Sequence, residues 1–417
     1  MANKPSPQQN PVKEALTNLM NAPVYTNPGA AFAAQRAALE TIPSETPATK
    51  EQWQQLYEVA EHIYKAEPWE YLYDSERITM LLPGRDEPVY IIVMGAAEET
   101  YGIGIYPGYD AISRIEKLAE SDSPTANLSF AFEQNCINLY FGNRDELEKR
   151  DHNIIKELGL KFRGKNRWPY FRSMKPGFFP WHLNYDDAAL SIDALQNFYM
   201  AFVAYATNEE LEIDFDGGQT LLRFFDAKSD MWYNTAIKMP PRPVVSPKLI
   251  VSDAALLDGI KKRKKTKDAL GVIVTYLPTP IQEKEERPMV PRAIILVNMQ
   301  NGMIINQETA TIDGDFASVV LDVLINYIEA NGRPSVIAVP DDNTAAYVED
   351  FSAKIGVKLK YDERLIEVIS DLLGHFSGGQ DEMLDALLEE IPEDKLEEFL
   401  QVLPEEMRQE VLNRLQK

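Results

Sequence analysis

The residues best suited to chemistry lie in one stretch, KFRGKNRWPYFRSMKPGFFPWHLN, at 161–184. Its first fifteen residues carry Lys161, Arg163, Lys165, Arg167, Arg172 and Lys175 and no acid. Trp168, Tyr170, Phe171, Phe178, Phe179 and Trp181 interleave or follow. Cations that meet phosphates and rings that stack on bases would make a platform for single-stranded nucleic acid or for another anionic ligand. The competing reading is a proline-locked loop whose rings anchor it to a core, and the cost of leaving so many rings in water favours it. A second basic run, KKRKKTK at 261–267, closes a predicted helix, where cations meet the negative end of the helix dipole. It reads as a solvated helix end, with phosphate contact as the rival.

The other chemical signals are weaker. YIIVMGAAEETYGIGIYPGYDAI at 90–112 has four glycines, but Gly95 leads into a turn, only Pro107-Gly108 borders a predicted helix, at 109–120, as ordinary turn chemistry, and no Lys suits a phosphate loop. Gly102 and Gly104 are two apart, so a strand places them on one face, open to close approach by another element. The stretch reads as a hairpin from 88–94 to 100–106. His62, His152, His182 and His375 form no metal-ligand pair at helical spacing, and read as surface or boundary residues. Cys136 is the only cysteine; within CINLYF it reads as a buried strand thiol. No metal and no cofactor is expected.

These residues need a scaffold. A chain of 417 residues exceeds one ordinary core, which predicts two domains with appendages. Its formal charge of -23 opposes indiscriminate polyanion binding without excluding a local basic groove. No apolar run is long enough to span a membrane, and the stretch MANKPSPQQNPVKEAL has no apolar core of signal-peptide type, so the expected setting is cytoplasmic. Residues 1–49 read as a variable arm. From 50 to 240 a mixed α+β domain is expected: an amphipathic helix from Glu51, strands at 76–82, 88–94, 100–106 and 136–141, a helix closed by Gly159, a long helix at 186–206, and two late strands. PPRPVV marks the boundary. From 241 to 376 the order is helix, strand, hairpin, then alternating helices and strands, which predicts a mixed sheet with helices on its faces. Residues 377–417 carry three twelve-residue units with matching apolar positions, among them Leu387, Phe399 and Val411. This acidic tail reads as short helices that must pack on each other, on the body or on a partner.

The strand–turn–strand, helix, strand, helix, strand, helix order, with GRPSVIAVPDDNTAAYVEDFSAKIGVKLKY at its centre, resembles the ribonuclease-H-like fold of nucleases, integrases and transposases. The resemblance implies acids at the ends of adjacent strands and on a helix, sharing two metal ions. The matching positions are the end of RAIILVNM, then Asp341 or Asp342, then Glu363, Glu367 or Asp371 on the last helix. The first falls on Asn298, an uncharged amide and a weak magnesium ligand, so the site is expected to be degenerate. More widely, WEYLY, YGIGIYPG, WPYFRSMKPGFFPWHL and RPMVPRAIILVNM resemble bacterial two-domain proteins of unknown function over 51–375; this supports the architecture and implies no activity. The expected fold is an α+β domain followed by an α/β mixed-sheet, ribonuclease-H-like domain and a short helical acidic tail. The expected role is a binding or regulatory module. Its partner is a protein met through the tail or through the surface of Arg163, Lys165, Arg167, Trp168, Tyr170, Phe171, Arg172 and Trp181, with no membrane. Whether the chain is an enzyme stays open: the alternatives are a divalent-metal nucleic-acid phosphodiesterase and nucleic-acid binding without cleavage.

Overall fold

The computed structural model describes residues 46–119, 132–208, 210–239, 248–277, 279–282, 286–310 and 316–372. The expected arm, apart from 46–49, and the acidic tail at 377–417 lie outside the described residues. The chain divides into two compact units. Among the described residues, those within 46–143, 149–250 and 282–289 form the first; those within 144–148, 251–281 and 290–372 form the second. The described residues of the segment 282–289 belong with the first unit.

The first unit is α+β. It opens on α1 (Lys50–Ala66), which buries Trp53, Leu56, Tyr57, Ala60 and Ile63 at helical spacing. Thr49 and Gln52 close a reciprocal capping box at its start. Glu67, in the left-handed conformation, and Pro68 stop it. Strands β1 (Arg77–Leu81), β2 (Val89–Met94) and β3 (Tyr101–Pro107) follow, then α2 (Gly108–Ala119). Next come β4 (Cys136–Gly142), α3 (Lys149–Glu157), β5 (Trp168–Met174) and α4 (Tyr185–Thr207). Strands β6 (Gln219–Asp226) and β7 (Met231–Lys238) complete one seven-stranded sheet, ordered β5-β4-β3-β2-β1-β6-β7. All neighbours are antiparallel except β1 and β6, which run parallel with Ile78 opposite Leu221. Helices α1 and α4 pack together over the face bearing Phe141 and Phe171. Helix α2 packs on the other face, against Tyr90, Ile92, Tyr106 and Cys136.

The second unit is a mixed α/β sheet. It contains α5 (Ala254–Lys261), β8 (Ala269–Tyr276), β9 (Arg292–Asn298), β10 (Ile304–Ala310), α6 (Phe316–Asn331), β11 (Val336–Val339), α7 (Asp342–Lys354), β12 (Lys358–Tyr361) and a helix α8 at 364–372. The strand order is β10-β9-β8-β11-β12. The first three strands are an antiparallel meander with β8 in the middle of the sheet; β11 and β12 then join parallel to β8 and to each other. Successive residues point to opposite faces and residues two apart share one, so one face brings Leu270, Val272, Ile294, Leu296 and Ile337 against α5, α6 and α7. The other face sets Ile273, Ile295, Val297 and Ala338 against Leu365 and Ile369 of α8.

Two segments depart from the sequence reading. The stretch 168–174, read as a loop, is the edge strand β5. Pro169 is tolerated there because an edge strand has one side free of ladder bonds. The helix that the basic run 261–267 was expected to close ends at Lys261; beyond it, Lys264 and Thr266 exchange backbone hydrogen bonds with Arg333 at 2.8 and 2.7 Å. The basic run is thus drawn out beside the β8–β11 ladder. Lys261, Lys262, Arg263, Lys264, Lys265 and Lys267 are all exposed along it.

Candidate functional site

In the aromatic–basic segment the rings and the cations part company. Phe171 is buried beneath α1, with its ring 5.9 Å from both Trp53 and Tyr57. Phe162 stacks on Tyr57 at 5.9 Å, and Trp168 meets Phe162 edge-on at 6.0 Å. Tyr170 leans on Tyr140 of β4 at 5.2 Å. Trp181 pairs through its backbone with Ser173 of β5, at 2.7 and 3.0 Å, and so partly covers the sheet edge. Lys161, Arg163, Lys165 and Arg167 are exposed. Arg167 lies 5.0 Å over the ring of Tyr64, a cation–π contact. The loop's shape is set by Gly164 (φ 106°) and Asn166 (φ 53°), and the Asn166 backbone N–H donates to the Asn143 side-chain oxygen at 3.1 Å. The outcome is a shaped loop whose rings are spent on anchoring and whose charges face water.

Arg172 does not belong to that surface. It is buried and donates to both carboxylate oxygens of Asp151 on α3, at 3.1 and 2.8 Å, and to the Phe171 carbonyl at 2.7 Å. His182, also buried, has its Nδ1 3.8 Å from Asp151. This differs from its reading as a surface or boundary residue. Close by in sequence, Asp187 sits in the first turn of α4, where Asn184 caps the helix by accepting from the Asp187 N–H. Lys175 lies 2.9 Å from one Asp187 oxygen, and Arg287 lies 3.9 Å from the other. Arg287 also donates to the Ser173 carbonyl at 3.4 Å. These ions brace β5, the turn after it, α4 and the returning segment 286–289. Sequence reasoning passed over Asp151, Asp187 and Arg287, because isolated acids and a lone arginine carry no local signal of burial.

The glycine face of β3 holds side chains of its own sheet. A Cβ on Gly104 would come 2.7 Å from the Tyr106 ring and 3.3 Å from the Asn138 amide oxygen. On Gly102 it would come 2.5 Å from the Leu139 carbonyl oxygen and 3.0 Å from the Met94 methyl. The glycines therefore admit Tyr106, Asn138 and Met94. Beside them Cys136 is fully buried, and burial pushes its thiol up to about 12. The Tyr140 phenol, accepting from Asn138 at 2.9 Å, is likewise raised by burial to about 12.

The acidic positions of the second unit are not brought together with Asn298. Asn298 pairs with Leu270 at the start of β8, and Leu270 pairs with Ile337 of β11. Asp341 lies four residues past Ile337, about 13 Å farther along the strand direction. The Asn298 side chain accepts from Gln300 N–H at 2.9 Å and shapes the β9–β10 turn. Asp341 caps α7, accepting from Thr344 N–H at 2.8 Å; burial raises its carboxyl above the ordinary range. Asp342 accepts from the Tyr361 hydroxyl at 2.6 Å, and this bond pushes the Tyr361 phenol up to about 12. Glu367 is exposed, while Leu365 and Ile369 of the same helix face the sheet. Continuing the β8–β11 register sets Val274 level with Asp341, and β8 carries no acid. Among the described residues no group of three His, Cys, Asp or Glu side chains could hold a metal ion. No described helix is long and apolar enough to cross a membrane.

No curated protein matches the sequence. Residues 53–223 match a family described as a domain of unknown function, DUF7309, and residues 256–376 match a second one, DUF6930. The chain is thus similar to two distinct uncharacterised domains, joined here in one two-domain protein.

Proposed function

We propose that the chain is a binding or regulatory module that meets a partner protein through the cationic loop at 161–167. The observation that carries this reading is the division of that segment, with Phe162, Trp168 and Phe171 packed inward and Lys161, Arg163 and Lys165 outward. Rings already engaged in packing are poor stacking platforms for bases, which favours an acidic protein surface over single-stranded nucleic acid. A loop held in shape before contact also loses little entropy on binding. A bacterial cytoplasm is the setting this reading implies.

The strand order of the second unit supports its resemblance to the ribonuclease-H-like fold: a meander with its first strand central, extended by two parallel strands. The catalytic alternative draws less support. It needs acids at the ends of adjacent strands and on the last helix, and the register sets the amide of Asn298 level with Ile337, four residues before Asp341, which is engaged as a helix cap. A ribonuclease-H-like scaffold with a degenerate acidic site fits both observations.

The test is affinity capture from cells that make the protein, using the full chain and a Lys161→Glu, Arg163→Glu, Lys165→Glu variant, alongside a mixed-sequence single-stranded oligonucleotide. The reading expects a protein that the natural chain retains and the variant loses, and no retention of the oligonucleotide. Equal capture by both chains, or no capture by either, sinks it. Oligonucleotide retention lost in the variant would favour nucleic-acid binding instead.

A further inference from the structure

The two edges of the second unit's sheet are unlike. At one edge, β12 exposes Lys358 and Lys360, cations of the kind that keep edge strands from pairing with other chains. At the other, β10 reads IINQETA and carries a single charge, Glu308. The strand beside it, β9, is buried along six of its seven residues, whereas every residue of β10 is exposed or half-buried. Helix α6 reaches β10 near its end, where Ala310 packs on the core, and the start of the strand is left exposed. Met303, Ile304 and Ile305 are 65%, 45% and 45% exposed at its start. Its ladder runs to β9 alone, and among the described residues no other hydrogen bond is made by 304–310. One register shift lies between Ile304 and Asn306; past it, Asn306–Ala310 pair regularly with β9. An unguarded outer row of N–H and C=O groups is a template for another strand.

We infer that β10 pairs antiparallel with β10 of a second copy, about a two-fold axis at Gln307. The charge pattern admits a second copy as the occupant and bars one register. A two-fold antiparallel pair must be centred on one residue, because residues that face each other across the strands share a face of the sheet. Centring on Glu308 would oppose two carboxylates. Centring on Gln307 sets Glu308 opposite Asn306 and Ile305 opposite Thr309, so that no like charges meet and the exposed isoleucines gain cover. The two five-stranded sheets then continue as one of ten. A strand pair alone is a small interface, which makes this a concentration-dependent dimer of roughly micromolar affinity.

Sedimentation of the full chain from about 1 to about 100 µM spans that range. The mass should rise from 47.3 kDa toward twice that value. Gln307→Lys sets two cations face to face at the axis and should hold the chain at the monomer mass, with an unchanged melting temperature because the side chain is exposed. Gln307→Glu should do the same. An equal mixture of the two variants should associate again, since each lysine then faces a glutamate. A natural chain that stays monomeric, a Gln307→Lys chain that associates as the natural one does, or a mixture that does not associate would each overturn the inference.

Discussion

Arg172 and Asp151 form a bidentate ion pair, with contacts of 3.1 and 2.8 Å, that leaves each residue less than a tenth exposed. The guanidinium comes from an edge strand and the carboxylate from α3, so the pair fixes that helix to the margin of the first sheet. Removing one partner leaves the other charged and out of water, which costs about 3–5 kcal/mol. Arg172→Met should lower the urea midpoint accordingly. Arg172→Met combined with Asp151→Leu should recover most of the loss, because no charge is then stranded. Equal losses in the single and double variants would argue against a buried pair.

Cys136 should be inert in the native protein. Burial raises its thiol to about 12, so the reactive thiolate is scarce at pH 8 and the sulfur is out of reach of reagent. Alkylation by iodoacetamide, followed by mass, should be negligible in buffer and complete in denaturant. Rapid labelling of the folded chain would contradict the packing around β4.

Asp341 should make the second unit less stable as pH rises. Burial sets its folded carboxyl above the unfolded value, so over the window between the two the folded protein keeps a proton that the unfolded chain has released. The stability that this proton confers is present at acid pH and is lost as pH climbs from the unfolded value, about 3.9, through the raised folded one. Asn is an equivalent N-cap without a charge. Asp341→Asn should therefore gain on the natural chain as pH rises from the unfolded carboxyl's value through the raised folded one, read from denaturant midpoints. The opposite trend would mean that the charged cap is favoured.

Millimolar Mg²⁺ or Mn²⁺ should give no saturable heat in calorimetry, since the strand register holds Asn298 well away from Asp341 and β8 supplies no carboxylate. Stoichiometric binding of two ions, lost on Asp341→Asn, would restore the phosphodiesterase alternative.

The elements that could be read from the sequence are those whose signal is local. Helix α1 shows its buried stripe from Trp53 to Ile63, and the β9–β10 hairpin shows two β-prone runs around a QNG turn. Strand β5 was obscured because Pro169 and the crowded cations break the alternation that marks a strand, and its place at an edge makes both acceptable. The relation of Asn298 to Asp341 could not be read at all. Each lies at a recognisable strand end, but which ends adjoin depends on the register between β8, β9 and β11, and an antiparallel neighbour brings the opposite end of the sheet. The inward turn of the rings in 161–184 follows from water-avoidance alone. The Arg172–Asp151 pair required knowing which helix lies beside the strand.

The seam between β1 and β6 has a consequence for how the protein is made. The hydroxyls of Thr79 and Thr220 meet across it at 3.1 Å, though 141 positions separate them along the chain. While the ribosome is still adding the intervening residues, β1 is a bare margin of an apolar sheet with its mate unsynthesised, and such slow, distant closure exposes a nascent chain to misassociation. The same seam sets where the protein can be cut. A fragment ending at residue 223 would lose Phe224, the last partner of β1, together with all of β7.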